Sequence, residues 1–388
     1  MKKRVAIIGG GASGVLAAFL LSDKFDVCIY ERQNRILKKV LQSGNGMCNL
    51  TNAYLDVSKY NTDITSVLER FDLNKCIDTF EKIGLIIKSD NEGRYYPYSK
   101  RSASVVHVLN RAINEKNVKV LTDTCIEKIE YNNGFVLNGK FVSDYLVIAT
   151  GSLAAISFKY NIYDALKPFN LKINPFKPAL VGFKVEENVK SLSGLRVKAS
   201  VSLIKNNEII KKIDGEVQFK DDGLSGIVVM ELSRYFDANG KYSLSLDLMS
   251  DYDEDKVRDV INKLYKREKS LEEVLMGILP KMIAVDISKR CKNIDEAIYL
   301  IKHYAFNIKT TYGFENCQVC KGGVDLSEID LNTFASLKNK NLYFSGEVLD
   351  VDGTCGGYNL HFAWASAYII SEDLNKKGDK YEWKCGSK

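Results

Sequence analysis

Residues 4–8 form a short apolar run, and Gly9, Gly11 and Gly14 follow it at the spacing G-x-G-x-x-G before an Ala/Leu-rich stretch begins. No other feature of the chain narrows its fold so sharply. The order reads as strand, tight turn and helix. Residues 26–31 read as a second strand and complete a βαβ unit of about thirty residues. In such a turn the first glycine allows the tight bend. The second lets the backbone approach a pyrophosphate, and the third lets the helix pack against the sheet. Unpaired N–H groups at the helix start then face the phosphates. Glu31 closes the second strand. A carboxylate there accepts both ribose hydroxyls and repels a 2′-phosphate, so FAD or NAD fits and NADP does not. The expected cofactor contacts in this unit are Gly9, Gly11, Ala12, Ser13, Gly14, Glu31 and Arg32.

Two later segments separate FAD from NAD. Residues 144–152 are an apolar strand ending in Ala149-Thr150-Gly151, and residues 341–350 are an apolar strand running into Gly346-Glu347. This arrangement resembles flavoproteins of the glutathione-reductase type, in which the second Gly-acid pair holds the ribityl and pyrophosphate portion of FAD. Glu347 stands where Asp is more usual, and a Glu accepts the same sugar hydroxyls with longer reach. Residues 352–365 supply Gly356 and Gly357 and then a helix. Its start would face the pyrimidine edge of the flavin, where a helix dipole favours negative charge on the reduced ring.

The remaining chain divides by character. Residues 64–83 and 102–116 carry helical periodicity, and residues 118–150 contain short strand-like segments. Residues 180–248 alternate apolar and polar with turn signals, residues 254–307 read as helical, and the glycine-rich strand character returns near residue 324. The expected fold is therefore α/β, a Rossmann-type FAD-binding domain of glutathione-reductase type with inserted β-barrel-like and helical domains. Its boundaries are residues 1–180 for the first part of the FAD domain and 181–250 for the β insertion. The helical segment follows at 251–320, and 321–388 completes the FAD domain.

Composition excludes several classes. The net charge of +6 on 388 residues is mild and its lysines are dispersed, which argues against a nucleic-acid partner. No segment has the apolar length needed to span a bilayer. The basic start is followed by too short an apolar run, broken by glycines, to be a signal peptide, so a cytoplasmic protein is expected. Nine scattered cysteines argue for free thiols, and three histidines without ligand spacing argue against a metal site. The Lys-, Asn- and Ile-rich composition points to an AT-rich bacterial genome.

Seven segments together resemble the bacterial family of HI0933-like flavoproteins, also labelled NAD(P)/FAD-dependent or aminoacetone-oxidase-like oxidoreductases. They are GGGASG (9–14), LQSGNGMCNLTN (41–52), GRYYPYSKRSASVVHVL (93–109), ATG (149–151), GEVQFKDDGLSG (215–226), GGV (322–324) and GEVLDVDGTCGGYNL (346–360). The resemblance covers nearly the whole chain and implies an FAD domain with an inserted β-barrel-like domain and a helical domain. It also implies flavin contacts from Ser43, Gly44, Asn45, Gly46, Cys48 and Asn49, from Thr150 and Gly151, and from Gly346, Glu347 and Asp350. Gly356, Gly357, Tyr358, Asn359 and Leu360 complete the expected set. The chain departs from the family pattern at Asn45 and Met47, which stand for Gly and Arg. It departs again at 219–222, where FKDD replaces a Thr-His pair, and after Gly151, where a longer glycine-rich run is usual.

These readings imply an FAD-dependent oxidoreductase moving hydride between bound flavin and a small or medium-sized organic substrate, either as a reductase or as an oxidase whose flavin oxygen reoxidises. An NADH or NADPH donor, if used, visits the flavin transiently because no second dinucleotide loop is visible. No catalytic acid or base is singled out. Cys48 and Cys355 read as packing residues more readily than as redox thiols. Cys317-x-x-Cys320 lies in an extended stretch where the two side chains point to opposite faces. Arg94, Tyr95, Tyr96, Lys100 and Arg101 read equally as an anion-binding strip or a solvated loop. Two rival readings remain. One is a flavin-binding sensor or partner-binding module without catalysis. The other is a nucleic-acid-modifying flavoprotein.

Overall fold

Strand β1 (Arg4–Ile8) is buried from Val5 to Ile8, on both faces. That is why it reads as a continuous apolar run, the mark of a parallel strand covered on each side. Helix α1 (Ala12–Leu21) follows, then β2 (Asp26–Tyr30), α2 (Lys38–Gly46), β3 (Lys119–Leu121), β4 (Tyr145–Ile148) and β5 (Leu342–Phe344). In the computed structural model the described residues are 2–155, 162–267 and 270–385, with side chains described to Asp379. Residues 156–161, inside the segment that departs from the family after Gly151, lie outside them.

The strands form one sheet in the order β5-β4-β1-β2-β3, all parallel. Two short antiparallel strands, Ile329–Asp330 and Ala335–Ser336, extend its β5 edge to seven strands. Ile7 pairs with Ile29 on one side and Val147 on the other. Each such fully buried aliphatic side chain stabilises the fold by about 1.5–3 kcal/mol. α1 is apolar nearly all round because it packs between the sheet and α3 (Tyr358–Cys385).

The described chain divides into two units. One comprises the described residues of 2–153, 162–176 and 320–385, and the other those of 154–155, 177–267 and 270–319. The second unit contains a closed six-stranded barrel of Phe183–Val185, Gly223–Ser225, Glu208–Lys220, Arg196–Lys205, Tyr242–Asp247 and Tyr304–Thr311, in that spatial order. Among the described residues five helices share the barrel's core, through Val229, Val257, Leu275, Ile283 and Ile298 among others. Three begin at a capping side chain, Asp253, Ser270 or Asn293, that accepts a backbone N–H.

Two sequence expectations change here. The helical reading of 254–307 ends early, at Lys302, and Tyr304–Thr311 is a barrel strand with Tyr304 and Phe306 inside. An alternation of two aromatics is too short to reveal itself behind a strong helical pattern. The single helix expected over 64–83 is two, Thr65–Arg70 and Leu73–Lys82, because Asp72 caps the second by accepting the Lys75 N–H.

Candidate functional site

The glycine loop is built as the sequence requires. Gly9 takes φ +109°, and a Cβ there would stand 2.4 Å from the Ala149 carbonyl oxygen. A Cβ on Gly14 would stand 2.0 Å from the Gly9 carbonyl oxygen, so helix and strand meet backbone to backbone. Gly11 differs: a Cβ there meets nothing within 4 Å. Gly11 is the N-cap of α1, with no side-chain capping bond and no acid in the first turn. The first N–H groups of α1, those of Ala12, Ser13 and Gly14, have no helical acceptor. This cradle fits a pyrophosphate. Glu31 holds its edge: Oε2 accepts the Gly10 N–H and Oε1 the Gln33 N–H, both at 2.8 Å. Each oxygen keeps a second lone pair for a sugar hydroxyl. Arg32, partly buried, follows on the same turn.

The ends of β4 and β5 complete the same edge of the sheet. The Thr150 hydroxyl donates to the Gly151 carbonyl at 3.4 Å. The Gly346 N–H donates to Ser366 Oγ on α3 at 2.9 Å, and a Cβ on Gly346 would press on Ser13 Oγ at 2.9 Å. Ser13 in turn donates to the Ser345 carbonyl. Glu347 Oε1 accepts the Cys320 N–H at 3.1 Å, and Oε2 lies 3.9 Å from Lys39 Nζ. The Lys39 nitrogen is covered and makes no hydrogen bond. Sequence reasoning missed Lys39, because nothing in the segment distinguishes it from its neighbour Lys38.

Segments 43–52 and 356–361 are packed directly together. α2 breaks at Ser43, and Gly44, Asn45, Gly46 and Cys48 all take positive φ. Asn45, at +53°, stands where the family has glycine. Asn is the side chain that best tolerates this region, so the backbone keeps its path. Gly357, at φ +98°, leaves no room for a Cβ, which would lie 2.6 Å from the Thr51 carbonyl and 2.8 Å from Asn49 Oδ1. Asn52 Nδ2 donates to the Gly356 carbonyl at 2.8 Å. Asn49 Oδ1 is covered and accepts no hydrogen bond, so an acceptor stands ready beside the start of α3. Such an acceptor fits a ligand N–H.

Other expected residues are occupied within the fold. Asp350 Oδ1 accepts the Gly322 N–H and Oδ2 accepts from Asn174, at 2.8 and 2.7 Å. Asn359 bridges the Gly353 N–H and carbonyl and closes the 353–359 loop. The Tyr358 hydroxyl donates to the Tyr54 carbonyl, and Leu360 packs on the core. Arg94 is ion-paired with Asp90 and Glu92, so its charge is neutralised where the sequence left an anion-binding strip open. Cys48 is buried, and burial pushes its thiol up to about 11. His361 is fully buried between the Thr51 hydroxyl, which reaches Nδ1, and the Phe71 carbonyl, which accepts from Nε2, each at 2.8 Å. Desolvation lowers it to about 4, so it stays neutral. The FKDD stretch lies in the barrel unit, where Asp222 accepts from the Tyr312 hydroxyl at 2.6 Å and pairs with Lys184. Cys317 and Cys320 are buried. Among the described residues no cluster of His, Cys, Asp and Glu could hold a metal, and no helix is long and apolar enough to cross a membrane.

The model of the HI0933-like protein Rossmann domain matches residues 3–373. A 3-dehydro-bile acid Δ(4,6)-reductase of Clostridium scindens is 32% identical, over 94% of this chain and 97% of its own. A ribosomal RNA dihydrouridine synthase of Haemophilus influenzae is 27% identical, over 96% and 98%. That of Escherichia coli is 29% identical, over 95% and 97%. The crystal structure of a 3-ketosteroid-Δ4-(5α)-dehydrogenase from Rhodococcus jostii matches 97% of this chain and 96% of its own at 14% identity, with a TM-score of 0.48. With a family match spanning nearly its whole length and a Rossmann-type FAD-binding fold beneath it, the chain belongs to the HI0933-like family and is an FAD-dependent oxidoreductase.

Proposed function

We propose that the protein saturates a carbon–carbon double bond conjugated to a carbonyl group in a small or medium-sized organic substrate, with NADH or NADPH as the transient electron donor. One observation carries the binding half of this reading. Along a single sheet edge stand Glu31, the uncapped start of α1 at Gly11, Gly151 and the Gly346–Glu347 pair, in the order a dinucleotide would need. In this reading Glu31 takes the adenosine ribose, the N–H groups of residues 12–14 take the pyrophosphate, and Glu347 takes the ribityl hydroxyls. The 43–49 and 356–360 segments flank the flavin ring, and Asn49 Oδ1 accepts its N–H. Bound FAD supplies the two-electron redox step.

The relatives support the substrate class. A Δ(4,6)-3-oxo steroid and the uracil ring of uridine differ in size and polarity, but in each the double bond that is lost is conjugated to a carbonyl. The first is the substrate type named for the relative at 32% identity over nearly equal lengths, and this favours a compact, largely apolar enone. The ribosomal RNA relatives favour a second reading, the same saturation on a uridine in RNA. The test mixes anaerobically reduced holoprotein with a 3-oxo-Δ4 steroid and, separately, with unmodified ribosomal RNA. Reoxidation by the steroid alone supports the first reading. Reoxidation by RNA, with tight and salt-sensitive binding, transfers it to the second. Reoxidation by neither would leave a flavin-binding module without this activity.

A further inference from the structure

Lys39 lies in the first turn of α2. Its side chain is 40% exposed along the stem, yet the ammonium nitrogen is covered and donates no hydrogen bond. Glu347 Oε2, at 3.9 Å, is beyond hydrogen-bond length, and the other Glu347 oxygen is engaged by the Cys320 N–H. Gly151 completes the enclosure. A Cβ there would stand 3.9 Å from Lys39 Nζ and 3.8 Å from Glu347 Oε2, so cation and acid flank the same glycine backbone. An ammonium covered without any acceptor for its three N–H groups is costly unless a ligand completes it.

The strand order says which part of the cofactor that is. Glu31 closes β2 and Glu347 follows β5, three strand spacings or roughly 14 Å apart, with the phosphate cradle of β1 between them. Lys39 therefore stands on the side of the cradle away from the adenosine. Beyond the cradle a bound FAD has its ribityl chain and its ring. The ribityl chain is neutral. The ring gains negative charge when it is reduced. A cation held on this side acts on the redox equilibrium, whereas one held over the pyrophosphate would act on affinity in both redox states alike.

We infer that Lys39 supplies the positive charge that favours the reduced flavin ring, and that Glu347 tempers this charge from 3.9 Å. The inference rests on the FAD-binding reading above. It makes Lys39 a positioning residue for charge and not a proton donor.

The experiment is a dye-equilibrated anaerobic titration of the FAD-reconstituted full chain, with the FAD dissociation constant measured alongside. Lys39→Met is expected to keep FAD and to lose at least tenfold in its preference for the reduced over the oxidised cofactor. For a two-electron couple that is a potential about 30 mV more negative. Lys39→Arg restores the wild-type potential, and Glu347→Gln moves it the opposite way. An unchanged potential in Lys39→Met overturns the inference, and so does a loss of affinity equal in both redox states, which would assign Lys39 to the pyrophosphate. If Lys39→Met does not fold by circular dichroism, Glu347→Gln decides, and an unshifted or lowered potential overturns the inference. A wild-type chain that cannot be reconstituted with FAD would instead overturn the cofactor reading itself.

Discussion

Glu31 Oε2 accepts the Gly10 N–H at 2.8 Å, so the acid at the end of β2 is tied to the glycine loop it is expected to serve. The bond orients the carboxylate before any sugar arrives. Glu31→Ala removes both the tie and the acceptor. A charge-assisted hydrogen bond is worth about 1.5–3 kcal/mol, so FAD affinity should fall roughly 10- to 100-fold in a fluorescence titration. An unchanged dissociation constant would remove Glu31 from the site.

Gly11 and Gly14 should respond differently to the same methyl group. In Gly14→Ala the Cβ would meet the Gly9 carbonyl at 2.0 Å, and overpacking of this kind costs roughly 1–3 kcal/mol of stability. In Gly11→Ala the Cβ has open space, so the melting temperature without cofactor should stay within about 1 °C while FAD binding weakens. Unchanged FAD affinity in Gly11→Ala would mean that the space beside Gly11 has no part in binding.

His361 makes stability depend on pH. Its folded value of about 4 lies below the ordinary 6.5, so the unfolded chain binds the proton more readily. Stability is complete above pH 6.5, declines as the pH falls, and is about 3 kcal/mol lower near pH 4. Urea midpoints across this range should show that slope. In His361→Asn the slope should flatten, although the variant is less stable at pH 7 for want of two buried hydrogen bonds.

Cys48 should be chemically silent. Its thiol is buried and raised to about 11, so little thiolate exists near neutrality. Iodoacetamide at pH 8 should leave it unmodified in the folded protein, as mass spectrometry of digested peptides would read, and Cys48→Ala should reduce and reoxidise like wild type. Labelling of native Cys48 would contradict this.

The parallel sheet was legible because both its faces are buried, which makes β1, β4 and β5 short apolar runs that lead into glycines. The barrel was legible as alternation, but not its closure. The strand Tyr304–Thr311 follows helix Ile294–Lys302 with only His303 between, and its pairing with Phe183–Val185 spans more than a hundred residues. Among the site residues, glycines announced themselves by spacing. Lys39 did not, since its significance lies in a covered nitrogen beside Gly151 and Glu347, a relation made by three separate segments. Asp350 and Asn359 entered the expected set by their motif, and in the fold Asp350 accepts from the Gly322 N–H and the Asn174 amide while Asn359 holds the Gly353 backbone.

The central claim is that a reduced flavin on this chain saturates a conjugated double bond. The direct measurement is a single-turnover experiment in which anaerobically reduced holoprotein is mixed with one equivalent of a 3-oxo-Δ4 steroid. Flavin absorbance is followed and the product is analysed by mass spectrometry. The account predicts return of the oxidised flavin bands with one equivalent of product heavier by two hydrogens. Flavin that stays reduced with the steroid and with ribosomal RNA, yet reoxidises at once in air, would contradict it.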